Sequence, residues 1–267
     1  MLYAAELRRE LAEYSRDYAA REQIPYLESY GGTPIFFPFA GERRHGNFLD
    51  ASYRAILKRP AWSARMEKPH TGKGKHLPAH AEGRRWRELD SAMSSDALLM
   101  NVFCCPGGVN WEAAGMPGAG ALPEFGFKAR VPLAGGRADR TEVDLKLGGM
   151  FIEAKLTESD FQAKPPGLVE RYRDLEEVLE IKRLPRAGGC IVSYQLVRNV
   201  LAAHASGASL CVLLDARRPD LIAKAGELFA CVRHAELKTR CKLLTWQELS
   251  TVLPPRLRRF LAAKYGI

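Results

Sequence analysis

Residues 141–158, TEVDLKLGGMFIEAKLTE, constrain this chain more than any other stretch. Each half alternates apolar and polar side chains, the period of a half-buried β-strand. Val143, Leu145 and Leu147 share one face, and Glu142, Asp144 and Lys146 share the other. Gly148-Gly149 suits a two-residue hairpin turn. Beyond it Ile152, Ala154 and Leu156 fall on one face, with Phe151, Glu153 and Lys155 opposite. A loop of only Gly148-Gly149 sets Leu147 against Met150 and Asp144 directly against Glu153. Cβ atoms of such a pair lie about 5 Å apart. Two carboxylates that close repel, so the pairing asks for a cation or a shared proton. Lys155 points to the same side. Two acids and one ammonium on rigid sheet suit Mg²⁺ and a water to be activated. The same register also sets Lys155 against Glu142, which by itself reads as an ordinary surface ion pair.

Asp144 followed by Glu153-Ala154-Lys155 resembles the D…(D/E)xK signature of the PD-(D/E)xK nuclease superfamily, the restriction-endonuclease-like fold. The resemblance implies that Asp144 and Glu153 hold a divalent metal, Mg²⁺ or Mn²⁺, with the carbonyl of Ala154 as a further ligand. It implies that Lys155 positions the attacking water. Glu124, opening the strand before the hairpin, is a candidate third acid. Gln195 resembles the Gln that the RecB-like branch carries on the helix after the ExK strand, where the amide positions active-site residues or the nucleic-acid backbone. Asn199 stands where that branch carries Tyr. The run SSDALLMN resembles the first helix of one restriction-endonuclease-like family and makes Asp96 a further acid to consider, its other reading being a plain helix N-terminal acid.

The net charge of +9 is concentrated. Between Arg54 and Arg87, ten Lys and Arg (54, 58, 59, 65, 68, 73, 75, 84, 85 and 87) meet only Glu67 and Glu82. A basic segment attracts a polyanion through counterion release. Trp62 and Trp86, interleaved with it, favour DNA contact over a merely solvated loop. Within it, residues 68–82 form a Gly/Pro/His/Lys loop that would be a DNA-facing flap, nickable at Lys73 or Lys75. His76 and His80 have metal-ligand spacing, but Pro78 between them argues against the helix this would need. No run of about 18 apolar residues exists, so no membrane span is expected, and the N-terminus lacks an apolar signal core. A cytoplasmic protein is the expectation. The six cysteines form no CxxC pair and several lie in apolar runs, the pattern of buried reduced thiols rather than disulfides or zinc.

Periodicity predicts helices over 2–21 (apolar at Leu2, Ala5, Leu7, Leu11, Tyr14 and Tyr18), 48–57, 85–103 or a shorter one starting near Asp96, 168–184, 193–205, 220–234, 246–253 and 255–264. The last is basic on one face through Arg256, Arg258, Arg259 and Lys264. Strands are expected at 124–131, 141–147, 150–156, 208–214 and 242–245. The order is that of an α/β restriction-endonuclease-like core, a mixed sheet in αβββαβ order flanked by helices. That core is assigned to 85–267, with 1–84 as a helical and basic extension. The expected function is a metal-dependent phosphodiesterase on nucleic acid, a Mg²⁺-dependent DNA endonuclease using Asp144, Glu153 and Lys155. The alternative is a non-catalytic nucleic-acid-binding protein that keeps the fold. Cutting both strands of a duplex would call for a homodimer or successive nicks.

Overall fold

The computed structural model describes residues 2–38, 44–72, 76–78, 86–107, 110–116, 121–140 and 142–267. The chain divides into two compact units, Met1–Asn110 with Gln247–Ile267, and Trp111–Trp246.

In the first unit, α1 (Leu2–Arg21) buries Ala4, Leu7, Leu11, Ser15 and Tyr18, a single stripe at 3.6-residue spacing. Leu2, Ala5 and Tyr14, expected on the packed face, fall off that stripe and are exposed. The stripe packs on the C-terminal helix Pro255–Tyr265, with Tyr18 and Phe260 edge to face at 5.5 Å. Helix α2 (Asp50–Leu57) is followed by α3 (Pro60–Arg65), whose proline occupies the first turn, where its missing N–H costs nothing. Helix α4 (Ser95–Phe103) begins where Ser94 Oγ accepts the Ala97 N–H at 3.1 Å. The shorter of the two expected helices is therefore the one formed, and Glu88–Asp90 is a separate 3₁₀ turn.

The second unit is built on a five-stranded mixed sheet. Its strands are β1 (Glu124–Lys128), β2 (Glu142–Leu147), β3 (Met150–Ala154), β4 (Ser209–Leu214) and β5 (Cys241–Thr245). Their order across the sheet is β5-β4-β3-β2-β1. β1, β2 and β3 form an antiparallel meander, and β3, β4 and β5 run parallel. The parallel joins need crossovers, supplied by α5 (Tyr194–Ser206) before β4 and α6 (Pro219–Ala230) after it. β4 reads as a continuous apolar run because it is central, with partners on both edges and buried faces. This is the α/β restriction-endonuclease-like fold expected from the sequence. Thr141, the expected first residue of β2, lies outside the described residues.

The helix expected over 168–184 does not form. Pro166–Val169 and Leu175–Val178 are single turns, and Ile181–Arg183 is 3₁₀. Between the turns the backbone bonds outward: Arg173 N–H to Pro132 O, Glu180 N–H to Cys231 O, and Arg233 N–H to Val178 O. Val169, Tyr172, Leu175, Val178 and Leu179 are nevertheless buried, as the periodicity required.

All six cysteines are free thiols, but only Cys104, Cys211 and Cys231 are buried, the others being half-buried. Burial pushes the Cys211 and Cys241 thiols up to about 12, which makes them poor nucleophiles. No described helix is long and apolar enough to cross a membrane.

Candidate active site

The hairpin forms in the expected register, with Leu147 against Met150 and Leu145 against Ile152. Gly148 turns it at φ +56°, a conformation that favours glycine. The ladder ends there. At the next step Asp144 Oδ2 accepts the Ala154 N–H at 2.9 Å, so a side chain takes over a backbone bond. Asp144 is thereby tied to the strand that carries Glu153. Lys155 extends that strand by donating its own N–H to Leu213 O of β4 at 2.9 Å.

Glu153 is completely buried. Its Oε1 accepts the Lys155 ammonium at 2.6 Å and the Gln195 amide, and its Oε2 accepts the Asn199 amide at 2.8 Å. A buried carboxylate is tolerable only with such partners. Gln195 and Asn199 reach it together because they stand four apart on α5, one turn above the other. The start of α5 is itself stitched to the chain leaving the site. Its first N–H groups go to Gln162 O and Phe161 O at 3.0 Å each, in place of a side-chain cap.

The Lys155 side chain is 9% exposed and its partner is Glu153, so the reading as a surface pair with Glu142 does not hold. Burial alone would push this ammonium down. The carboxylates of Glu153, Asp144 and Glu158 outweigh burial and hold it above its usual value. Lys155 is therefore a cation at neutral pH. The repulsion expected between Asp144 and Glu153 is relieved by this ammonium, the two amides and the Ala154 N–H.

The remaining expected residues are placed as follows. Glu124, at the start of β1, holds the Lys146 ammonium at 2.8 Å rather than joining the Glu153 cluster. Asp96, in the first unit, takes Arg65 at 3.0 Å and Lys68 at 2.6 Å. His80 lies outside the described residues, so the His76/His80 pair is not defined; so do Lys73, Lys75, Arg84 and Arg85. Trp62 and Trp86 are buried, and the Trp86 ring packs 5.2 Å from Phe36. They are core side chains, not the exposed rings that DNA contact through them would need. Arg87 is likewise committed, to Glu67 and Asp90. Arg54, Lys58 and Arg59 are exposed and line a cavity of about 490 Å³.

Glu158 was not singled out from sequence. Its carboxylate turns back onto the Leu156 N–H at 2.7 Å, and its carbonyl accepts Arg218 at 2.6 Å. Glu158 falls three residues beyond Lys155, in the exit turn; that spacing was the only signal available.

Two carboxylates and the Ala154 carbonyl make a hard oxygen donor set. Glu153 Oε1 is saturated by two donors, whereas Oε2, with one, keeps a lone pair. Mg²⁺ takes one or two protein carboxylates and completes its shell with water and substrate oxygens, so this set fits it. Among the described residues no group of three or more His, Cys, Asp or Glu could enclose a metal by itself.

No curated protein and no solved structure matches the chain. A family model does, over residues 10–266, nearly the whole length. The chain thus belongs to the family described as restriction endonuclease associating with ARP, a membership that suggests nuclease activity on nucleic acid.

Proposed function

We propose that the chain is a Mg²⁺- or Mn²⁺-dependent DNA endonuclease of the PD-(D/E)xK type, working at Asp144, Glu153 and Lys155. The observation that carries this reading is the convergence on Glu153 of Lys155 from the same strand and Gln195 and Asn199 from α5, with Asp144 anchored beside them on Ala154. A hairpin that merely held a sheet together would have no use for four polar side chains around a buried acid.

Asp144, Glu153 and the Ala154 carbonyl would hold the metal, which when bound supplies Lewis-acid polarisation of a phosphoryl oxygen and a more acidic water. Gln195 and Asn199 fix the Glu153 carboxylate in one orientation, so its geometry need not reorganise during the reaction. The Lys155 ammonium is suited to hold a water by its lone pair and to offset charge growing on the phosphate. The exposed Arg54, Lys58 and Arg59 support a role for the basic segment in holding the phosphodiester backbone.

The test is nicking of supercoiled plasmid in Mg²⁺ or Mn²⁺, with EDTA as control and Lys155→Ala and Asp144→Asn beside the wild type. Activity lost in EDTA and in both variants is expected. Activity surviving in both variants would refute the assigned site. Absence of cutting by the wild type, with a retained gel shift, would turn the reading to a binding protein that keeps the fold.

A further inference from the structure

A cavity of about 350 Å³ in the first unit has a basic rim over an aromatic floor. Arg21, Arg44, Arg256 and Arg259 line it, against two acids, Glu22 and Asp50. Both acids face one guanidinium: Arg44 meets Glu22 at 2.8 Å and Asp50 at 3.9 Å. Arg21 spends its donors on the backbone carbonyls of Asp17 and Ala263, at 3.2 Å each, which satisfies its hydrogen bonds and leaves its charge uncompensated. Arg256 and Arg259 stand one turn apart on the C-terminal helix, both exposed, with no acidic partner among the described residues. Four guanidiniums against two acids leave the cavity with an excess of positive charge among the described residues.

Tyr18 and Phe260 line the same cavity. Two uncommitted guanidinium forks beside aromatic rings match a phosphate ester carrying a planar base, since Arg forks pair with phosphate oxygens and rings accept a stacked or edge-on base. The volume is at the lower end for small-molecule sites and exceeds what a bare inorganic anion fills. The sequence had grouped Arg256 and Arg259 with Arg258 and Lys264 as one basic helix face. The structure separates them: Lys264 is fully buried, and Arg258 is exposed but does not line the cavity.

We infer that this cavity is a nucleotide-phosphate site, anchored by Arg256 and Arg259 and separate from the Asp144–Glu153–Lys155 cluster. The phosphate has two sources, a free nucleotide or a phosphodiester of a strand that runs past the cavity. The cavity's lining belongs to the first unit and contains none of Asp144, Glu153 and Lys155, so the site is assigned to binding and given no part in bond cleavage.

The experiment compares wild type, Arg256→Ala/Arg259→Ala and Arg258→Ala, all in EDTA to keep cleavage out of the readout. Fluorescence anisotropy with a labelled duplex and a labelled single strand reads one source, and calorimetric titration with dAMP reads the other. Arg258→Ala removes one charge from the same helix without touching the cavity. A loss of about tenfold in strand affinity for the double variant, with a log–log salt slope shallower by about one to two, assigns the site to strand phosphates. The change for Arg258→Ala should stay under about twofold, as for an exposed charge that makes no direct phosphate contact. Loss of dAMP binding alone assigns it to a free nucleotide. Equal affinities across all three proteins, or no binding of either ligand by the wild type, overturns the inference. Because nothing is cut, failure of the proposed nuclease activity would leave this outcome readable.

Discussion

Removing the Lys155 ammonium should expose how much of this sheet's stability rests on a polar pair. Lys155 and Glu153 meet at 2.6 Å, with side chains 9% and 0% exposed, so neither has water to fall back on. Breaking a buried pair by deleting one partner costs about 3–5 kcal/mol, because the survivor is left charged and dry. The figure here falls at the low end, because Gln195 and Asn199 still donate to Glu153. Lys155→Met is therefore expected to lose about 3 kcal/mol at pH 7. Replacing both, as Lys155→Met with Glu153→Gln, removes the stranded charge. The double variant should recover part of the loss, with a coupling of about 2–3 kcal/mol. Urea unfolding followed by far-UV circular dichroism in EDTA measures all four proteins. A single-variant loss below about 1 kcal/mol, or strict additivity, would mean that Glu153 and Lys155 do not form a buried ion pair, and the argument from convergence would fail with it. The same result bears on the activity test: loss of cutting by Lys155→Ala counts only if the protein is folded, so Asp144→Asn must accompany it.

Asn199→Leu removes the donor to Glu153 Oε2 while leaving Lys155 and Gln195 in place; plasmid nicking should fall about 10–100-fold, as for other groups that orient a ligand, and undiminished rates would remove Asn199 from the site. Lys264 is fully buried, its Nζ has no hydrogen-bond partner, and burial pushes it well below 10.5, although the Phe37 and Tyr265 rings lie 4.9 and 4.4 Å away. Lys264→Met should therefore be more stable than wild type at pH 7 by about 1–3 kcal/mol; the unfolded chain holds this proton more tightly, so the gain should shrink as pH rises toward 10.5, and a destabilised variant would show that the two rings hold a charged ammonium. His45 is also buried and held below 6.5 by burial, which outweighs its bond to Asp90 at 3.1 Å. The unfolded chain takes up a proton that the folded one refuses, so stability is full above 6.5 and declines as pH falls below it; thermal melts of His45→Gln between pH 7 and 5 should show a shallower decline than wild type, the remaining slope coming from His70, which shifts the same way.

What was legible in the sequence was whatever alternation and short-range spacing decide. The hairpin register followed from Gly148-Gly149 and the two-residue period, and it set Asp144, Glu153 and Lys155 together before any tertiary contact was known. Asn199 was visible as the neighbour of Gln195 one helical turn on, although only the structure gives both amides the same carboxylate. For Glu124 strand alternation gave a face and not a partner; the structure supplies the partner, Lys146, directly across from it. The two tryptophans were misjudged because neighbouring charges in sequence say nothing about which side of the chain faces water. Residues 168–184 carry the same lesson furthest. Val169, Tyr172, Leu175, Val178 and Leu179, apolar or aromatic at near-helical spacing, are interior. A helix is one way to turn those side chains inward, because it satisfies its own backbone. Here the carbonyls of Pro132 and Cys231 and the N–H of Arg233 satisfy it instead, so short turns bury the same residues without a continuous helix. Spacing reports which side chains leave water; which backbone results depends on the hydrogen-bond partners that segments far along the chain bring.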